Sequence, residues 1–102
     1  MLQEHQSDVI ADATLLKIGT LHEDLKDTSK ALEAYQKIID DFPESIYRDE
    51  ALYFSAEIYH KKLQMPDKAK ALYESLLFNH QDSIHFVDAR RKYRQLRGDS
   101  NL

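Results

Sequence analysis

Apolar residues return at spacings of three and four along most of the chain, which is the period of amphipathic helices. Leu15, Ile18, Leu21 and Leu25, with His22 beside them, predict a first helix over about residues 8–26, with Ser7 as its N-cap. Ala31, Ala34, Tyr35, Ile38 and Ile39 predict a second over about 28–41, capped by Asp27 or Thr28. Phe42-Pro43 ends it, because the residue before a proline avoids the α region. Ala51, Leu52, Ser55, Ala56, Ile58 and Tyr59 mark the buried side of a third helix over about 46–63, capped by Ser45. Ala69, Leu72, Tyr73, Leu76 and Leu77 mark a fourth over about 66–79, with Pro66 at the first helical position, where its missing N–H costs nothing. Phe86, Ala89, Tyr93 and Leu96 mark a fifth over about 84–97, capped by Ser83 and stopped by Gly98. Alternation of strand type is absent, so the expected class is all-α. Joints of two to five residues turn consecutive helices antiparallel.

The pattern also repeats. Lys30-Ala31-Leu32-Glu33-Ala34-Tyr35-Gln36-Lys37-Ile38-Ile39 returns 38 residues later as Lys68-Ala69-Lys70-Ala71-Leu72-Tyr73-Glu74-Ser75-Leu76-Leu77. Ser7, Ser45 and Ser83 share that phase, as do Ala13, Ala51 and Ala89. A period of this size marks a stacked-repeat architecture, in which each unit buries its apolar face against its neighbours. The expected organisation is a right-handed solenoid of helical hairpins. Residues 1–7 form a flexible lead or the end of a preceding repeat. Repeats follow over about 8–44 and 45–82, then a capping helix over 83–97 and a frayed tail over 98–102. The chain begins where a repeat ends, so a piece of a longer protein is expected, with any targeting signal upstream.

Composition narrows the chemistry. At 102 residues the chain is one domain at most, and two Gly and two Pro suit long helices with short joints. Without Cys there are no disulfides, thiolate metal sites or Cys nucleophiles, and the compartment stays open. No apolar run approaches the ~20 residues of a membrane span, and the first six residues lack the form of a signal peptide. Net charge is −4, but residues 1–51 hold 12 acids and 5 Lys+Arg (−7) while residues 52–102 hold 6 acids and 9 Lys+Arg (+3). Such a split marks a polar partner, head-to-tail association or simply a solvated mixed-charge surface.

His22-Glu23-Asp24-Leu25-Lys26 has a superficial likeness to a zinc-protease helix, but Lys26 stands where the second His is needed. His60, His80 and His85 lack ligand spacing, and two glycines cannot build a phosphate cradle. No cofactor and no catalytic constellation is expected. Arg90-Arg91-Lys92-Tyr93-Arg94 with Arg97 is the most basic stretch. It reads first as a solvating cap, since Arg94 stands where the repeat wants a small residue, and next as a protein-binding face. Nucleic acid is disfavoured by the acidic chain as a whole.

At these residues the chain resembles the tetratricopeptide repeat. That pattern's small residue, aromatic, Ala, aromatic and Pro fall on Gly19, His22, Ala31, Tyr35 and Pro43, then on Ala56, Tyr59, Ala69, Tyr73 and Gln81. His22 and Gln81 depart from it, and the Ala56–Ala69 gap is thirteen rather than twelve, which points to a longer joint at Lys62–Asp67. Phe42-Pro43-Glu44-Ser45-Ile46-Tyr47 looks most like the longer repeats of bacterial cell-envelope proteins, which implies the periplasm or cell envelope rather than the cytoplasm.

The resemblance implies a non-catalytic protein-binding module, the C-terminal end of a larger bacterial scaffold or adaptor. A peptide or partner domain would lie in a groove lined by the first helix of each repeat. The positions so implied are Leu16, Lys17, Thr20, Glu23 and Asp24, then Glu50, Tyr53, Phe54, Glu57, His60 and Lys61, then Arg91 and Lys92. Ala13, Asp88 and Gln95 lie in the same phase. Tyr53 and Phe54, being adjacent, point in different directions, so either one anchors a ligand or both pack internally. The alternative is a structural module that self-associates, with Leu15, Ile18 or Leu21 exposed at the repeat's free end.

Overall fold

A computed structural model describes residues 2–98, and the side chains of residues 11–98. Five helices run α1 (Leu2–Asp24), α2 (Thr28–Asp41), α3 (Arg48–Glu57), α4 (Pro66–Asn79) and α5 (Phe86–Arg97), and α3 continues directly into a π-helical turn, Ile58–Lys62. No strand occurs among the described residues. The expected tail beyond Gly98 lies outside them. Two compact units are present, residues 1–51 and 52–102.

In the first unit α1 packs along α2. The α2 stripe is buried as its period requires, with Ala31, Tyr35 and Ile38 at zero exposure. Full burial of each large member contributes roughly 1.5–3 kcal/mol. Asp27 caps α2 by accepting from the Lys30 N–H at 3.4 Å. Helix α1 starts at Leu2, so Ser7 lies inside it and is not its cap. Nothing in residues 2–7 breaks a helix: Gln, Glu and Leu are good formers, and no Gly or Pro intervenes.

The end of α1 is a Schellman closure. The Asp27 N–H reaches the His22 carbonyl, the Lys26 N–H reaches Glu23, and Lys26 sits between them at φ 65°. The second unit repeats this with one residue more. Leu63 bonds to Ile58, Met65 bonds to Tyr59, and Gln64 takes φ 52°. Both joints are three residues long, 25–27 and 63–65. The extra residue between Ala56 and Ala69 therefore sits in the π turn and does not lengthen the joint, since i→i+5 bonding absorbs one residue without breaking the helix.

The turns after α2 and α4 are copies 38 residues apart. The Phe42 and His80 N–H groups close on Ile38 and Leu76. Ser45 and Ser83 then accept through Oγ from the N–H two residues on, each at 3.0 Å, and through their carbonyls from Arg48 and Phe86. These side chains close turns and are not helix caps. That is why α3 and α5 begin two residues later than their patterns suggest, after joints of six residues. Helices α2 and α4 match their expected bounds, and Gly98 stops α5 at φ 93°.

Candidate partner-binding surface

In the first unit the positions implied for a groove hold local bonds. Thr20 donates to the Lys17 carbonyl one turn back. Lys17 and Asp24 are exposed, and Leu16 is half-buried. Glu23 accepts the Tyr35 hydroxyl at 2.5 Å. Gly19 makes that bond possible: a Cβ there would lie 2.3 Å from the Tyr35 ring, so the ring crosses α1 only over glycine. Burial, followed by the bond and charge of Glu23, raises the Tyr35 hydroxyl well above its ordinary range. Ser45 donates to Asp12 at 2.6 Å, and the Arg48 Nε donates to the Ile39 carbonyl at 3.1 Å, which fastens the start of α3 to the end of α2. Glu50, also in this unit, is half-buried, and its backbone N–H donates to Asp49 Oδ1 at 2.9 Å.

The second unit draws its implied positions together. Tyr73 on α4 donates to Glu57 at 2.8 Å. Lys92 on α5 donates to Glu57 and also pairs with Asp88 at 3.1 Å. Tyr53 donates its hydroxyl to Asp88 and accepts one hydrogen bond from Lys92 at 3.0 Å. The Lys92 ammonium also stands 5.2 Å from the Tyr53 ring centre, a cation–π distance. Its side chain is only 14% exposed. Lys61 pairs with Glu57 at 2.8 Å, Arg91 pairs with Asp88, and both cations are well exposed at the margin.

The charges respond as this geometry demands. Burial would push the Glu57 carboxyl up, but the bonds from Lys61, Lys92 and Tyr73 outweigh it and bring the pKa down to about 2. The bond from Tyr53 leads the lowering of Asp88. Burial opposes the Lys92 charge, yet bonds from Glu57, Tyr53 and Asp88 hold its pKa above the ordinary lysine range. Burial and the Asp88 bond raise Tyr53 against the opposing effect of Lys92.

Around this cluster lie aromatic rings. His85 stacks on Tyr53 at 4.3 Å and 9°, and Phe54 meets both edge-on. Tyr53 and Phe54 are both half-buried, and Tyr53 spends its ring and hydroxyl inside the unit. His60 sets its ring edge-on to Tyr73, with a buried Nδ1 that has no hydrogen-bond partner among the described residues. His85 was not among the expected positions. Its signal was the 38-residue phase, which puts it where Tyr47 stands one repeat earlier.

Among the described residues no cluster of His, Asp and Glu is suited to a metal ion. No helix among them is long and apolar enough to cross a membrane. Comparison with curated proteins and with solved structures yields no match. A family model described as the tetratricopeptide repeat matches residues 13–45 and 50–83, about two-thirds of the chain. The two matches begin 37 residues apart and end 38 apart, the one-residue difference that the π turn takes up. With two matched repeats on an all-helical chain, the protein belongs to the tetratricopeptide repeat family, whose repeats serve as protein–protein interaction modules.

Proposed function

We propose that this is a non-catalytic scaffold or adaptor module. Its partner segment binds on the second unit, on the surface of Tyr53, Phe54, Glu57, His60 and Lys61 with Arg91 and Lys92. The observation that supports this is the single bonded cluster joining Tyr53, Glu57, Asp88 and Lys92 across two helices. A surface whose side chains are already fixed loses little rotamer freedom on binding, and that saving appears as affinity. Phe54 and the part of Tyr53 left accessible, both residues being half-buried, offer an apolar platform, while Lys61 and Arg91 select polar or acidic residues at its margin. Lys92 serves as the inner clamp of the platform and does not reach for the ligand.

The test is a selection of peptides from a random library on the wild-type chain, followed by titration against two variants. Tyr53→Ala/Phe54→Ala removes the platform, and Lys61→Gln/Arg91→Gln removes the charge of the margin. A loss of about tenfold or more is expected in each. Equal affinities in both, with helicity retained, would remove this surface from consideration.

A second reading is self-association. It is favoured by a stripe on α1 in which Leu21 and Leu25 are 56% and 64% exposed, with Ile18 beside them. Sedimentation over a wide concentration range decides it, since a strict monomer throughout excludes that reading.

A further inference from the structure

Between α4 and α5 lies a second surface, separate from the Tyr53 platform. It is a groove of about 360 Å³ lined by Leu77, Phe86, Arg90, Tyr93, Arg94 and Arg97. Its floor is apolar and aromatic. Its walls are three exposed arginines, and no lining residue is acidic. The Tyr93 ring is fixed at both faces of its chemistry: the hydroxyl donates to Glu74 at 3.1 Å, and the Arg97 guanidinium stands 5.3 Å from the ring centre.

The repeat says what shape of occupant this groove fits. Arg90, Tyr93 and Arg94 stand 38 residues after Leu52, Ser55 and Ala56. Those three are buried in α3, at 2% exposure or less. The helix that follows α3 is α4, whose Tyr73 bonds to Glu57 beside Ala56. On α5 the same face has Arg90 and Arg94 exposed and Tyr93 half-buried. Leu52 and Ala56 have given way to arginines, and Ser55 to a tyrosine. A helix cannot approach as closely at Arg94 as at Ala56, but it can be held farther out by carboxylates that reach the guanidinium groups.

We propose that the α4–α5 groove is a docking site for an acidic amphipathic helix of another polypeptide. Aliphatic residues at i and i+4 of that helix would cover Leu77, Phe86 and Tyr93. Glu or Asp on the flanking positions would pair with Arg90 and Arg94, both exposed. The charge of the groove makes this selective against neutral and basic helices, since guanidinium groups buried without partners are costly.

The probe is a labelled, stapled peptide with the sequence of α4 itself, residues 66–79, in which Lys68 and Lys70 are each replaced by Glu. The unmodified α4 peptide is the control, because simple displacement of α4 from its own place would not distinguish the two. Titration of the full chain is expected to show the acidic peptide binding about tenfold or more tighter than the control. Its affinity should fall at least about tenfold between roughly 50 and 500 mM salt. Arg90→Glu/Arg94→Glu, both exposed, should abolish the preference, while Lys37→Glu on α2, also exposed, leaves it unchanged. Equal binding of the two peptides would overturn the proposal. So would indifference to the arginine variant, or tighter binding of a duplex oligonucleotide that depends on the same arginines.

Discussion

Each unit sets a buried tyrosine of its second helix against a glutamate of its first, but the two pairs are built differently. In the first unit Tyr35 crosses Gly19 to reach Glu23, four residues on. In the second, Tyr73 meets Glu57 directly after Ala56, and Lys61 and Lys92 close on the same carboxylate. The first pair depends on the absence of a side chain, and the second on the presence of cations. One repeat pattern thus provides a tyrosine and leaves each unit to find its carboxylate. The first uses it to seal a helix crossing. The second extends it through Lys92 and Asp88 into a polar surface with exposed ends, which is why binding is assigned there.

The sharpest way to break this comparison is to exchange the small residues. Gly19→Ala forces a Cβ into the buried Tyr35 ring, and overpacking of this kind outweighs the gain in helix propensity. A net loss of about 2–3 kcal/mol by urea unfolding is expected. Ala56→Gly, at the matching position, should cost only about 1 kcal/mol, the propensity difference. If both variants lose the same amount, the ring crossing is not what sets the first unit apart.

Next in size is Lys92→Met, which removes the shared cation and leaves Glu57 and Asp88 facing each other across Tyr53. About 2 kcal/mol should be lost, with hydrogen exchange accelerated in α3 and α5. Tyr35→Phe, by contrast, breaks a single hydroxyl–carboxylate bond and should cost about 1 kcal/mol.

The two pairs also differ in pH. The Glu57 carboxyl ionises near 2 in the folded chain, against an ordinary value of 4.5. Its stabilising effect is therefore complete above about 4.5 and is lost as the pH falls from there toward 2, with Asp88 acting in the same direction. The raised hydroxyls of Tyr35 and Tyr73 act on the other side. Their contribution holds below about 10 and is lost above it, as ionisation favours the unfolded chain. An acid unfolding curve followed residue by residue should show α3 and α5 loosening together through Glu57. Lys92→Met should reduce that acid-dependent loss, with the Lys61 and Tyr73 bonds to Glu57 retaining part of it.

The smallest effect is a gain. Lys26 and Gln64 hold left-handed conformations that favour glycine. Lys26→Gly and Gln64→Gly should each raise stability by about 0.5–1 kcal/mol, which small shifts in the urea midpoint would record.

Much of the fold could be read from residue types because local rules set it. Pro66, Phe42-Pro43 and Gly98 fixed helix ends through backbone sterics alone, and α2 and α4 keep their expected bounds, although Leu72 and Leu77 of the α4 stripe are only half-buried. Ser7 misled because its phase matches that of Ser45, while a helix stops only where something stops it. The extra residue before Ala69 was visible as a count. A count cannot say whether a joint or a π turn takes it, since both satisfy the backbone. The second unit's cluster was legible only in part. Tyr53, Glu57, Lys61, Arg91 and Lys92 share a phase, but the 35-residue reach from Lys92 to Glu57 depends on how α5 folds back, which no local spacing encodes.

The functional reading rests on Tyr53, Glu57, Asp88 and Lys92 forming one fixed platform, and the carboxyl of Glu57 reports on it directly. Its titration, followed by carboxyl-carbon NMR on the intact chain, should have a midpoint near 2 and move toward the ordinary 4.5 in Lys92→Met. A wild-type midpoint near 4.5, unchanged by that substitution, would mean that the cluster does not hold together in solution and that the platform does not exist.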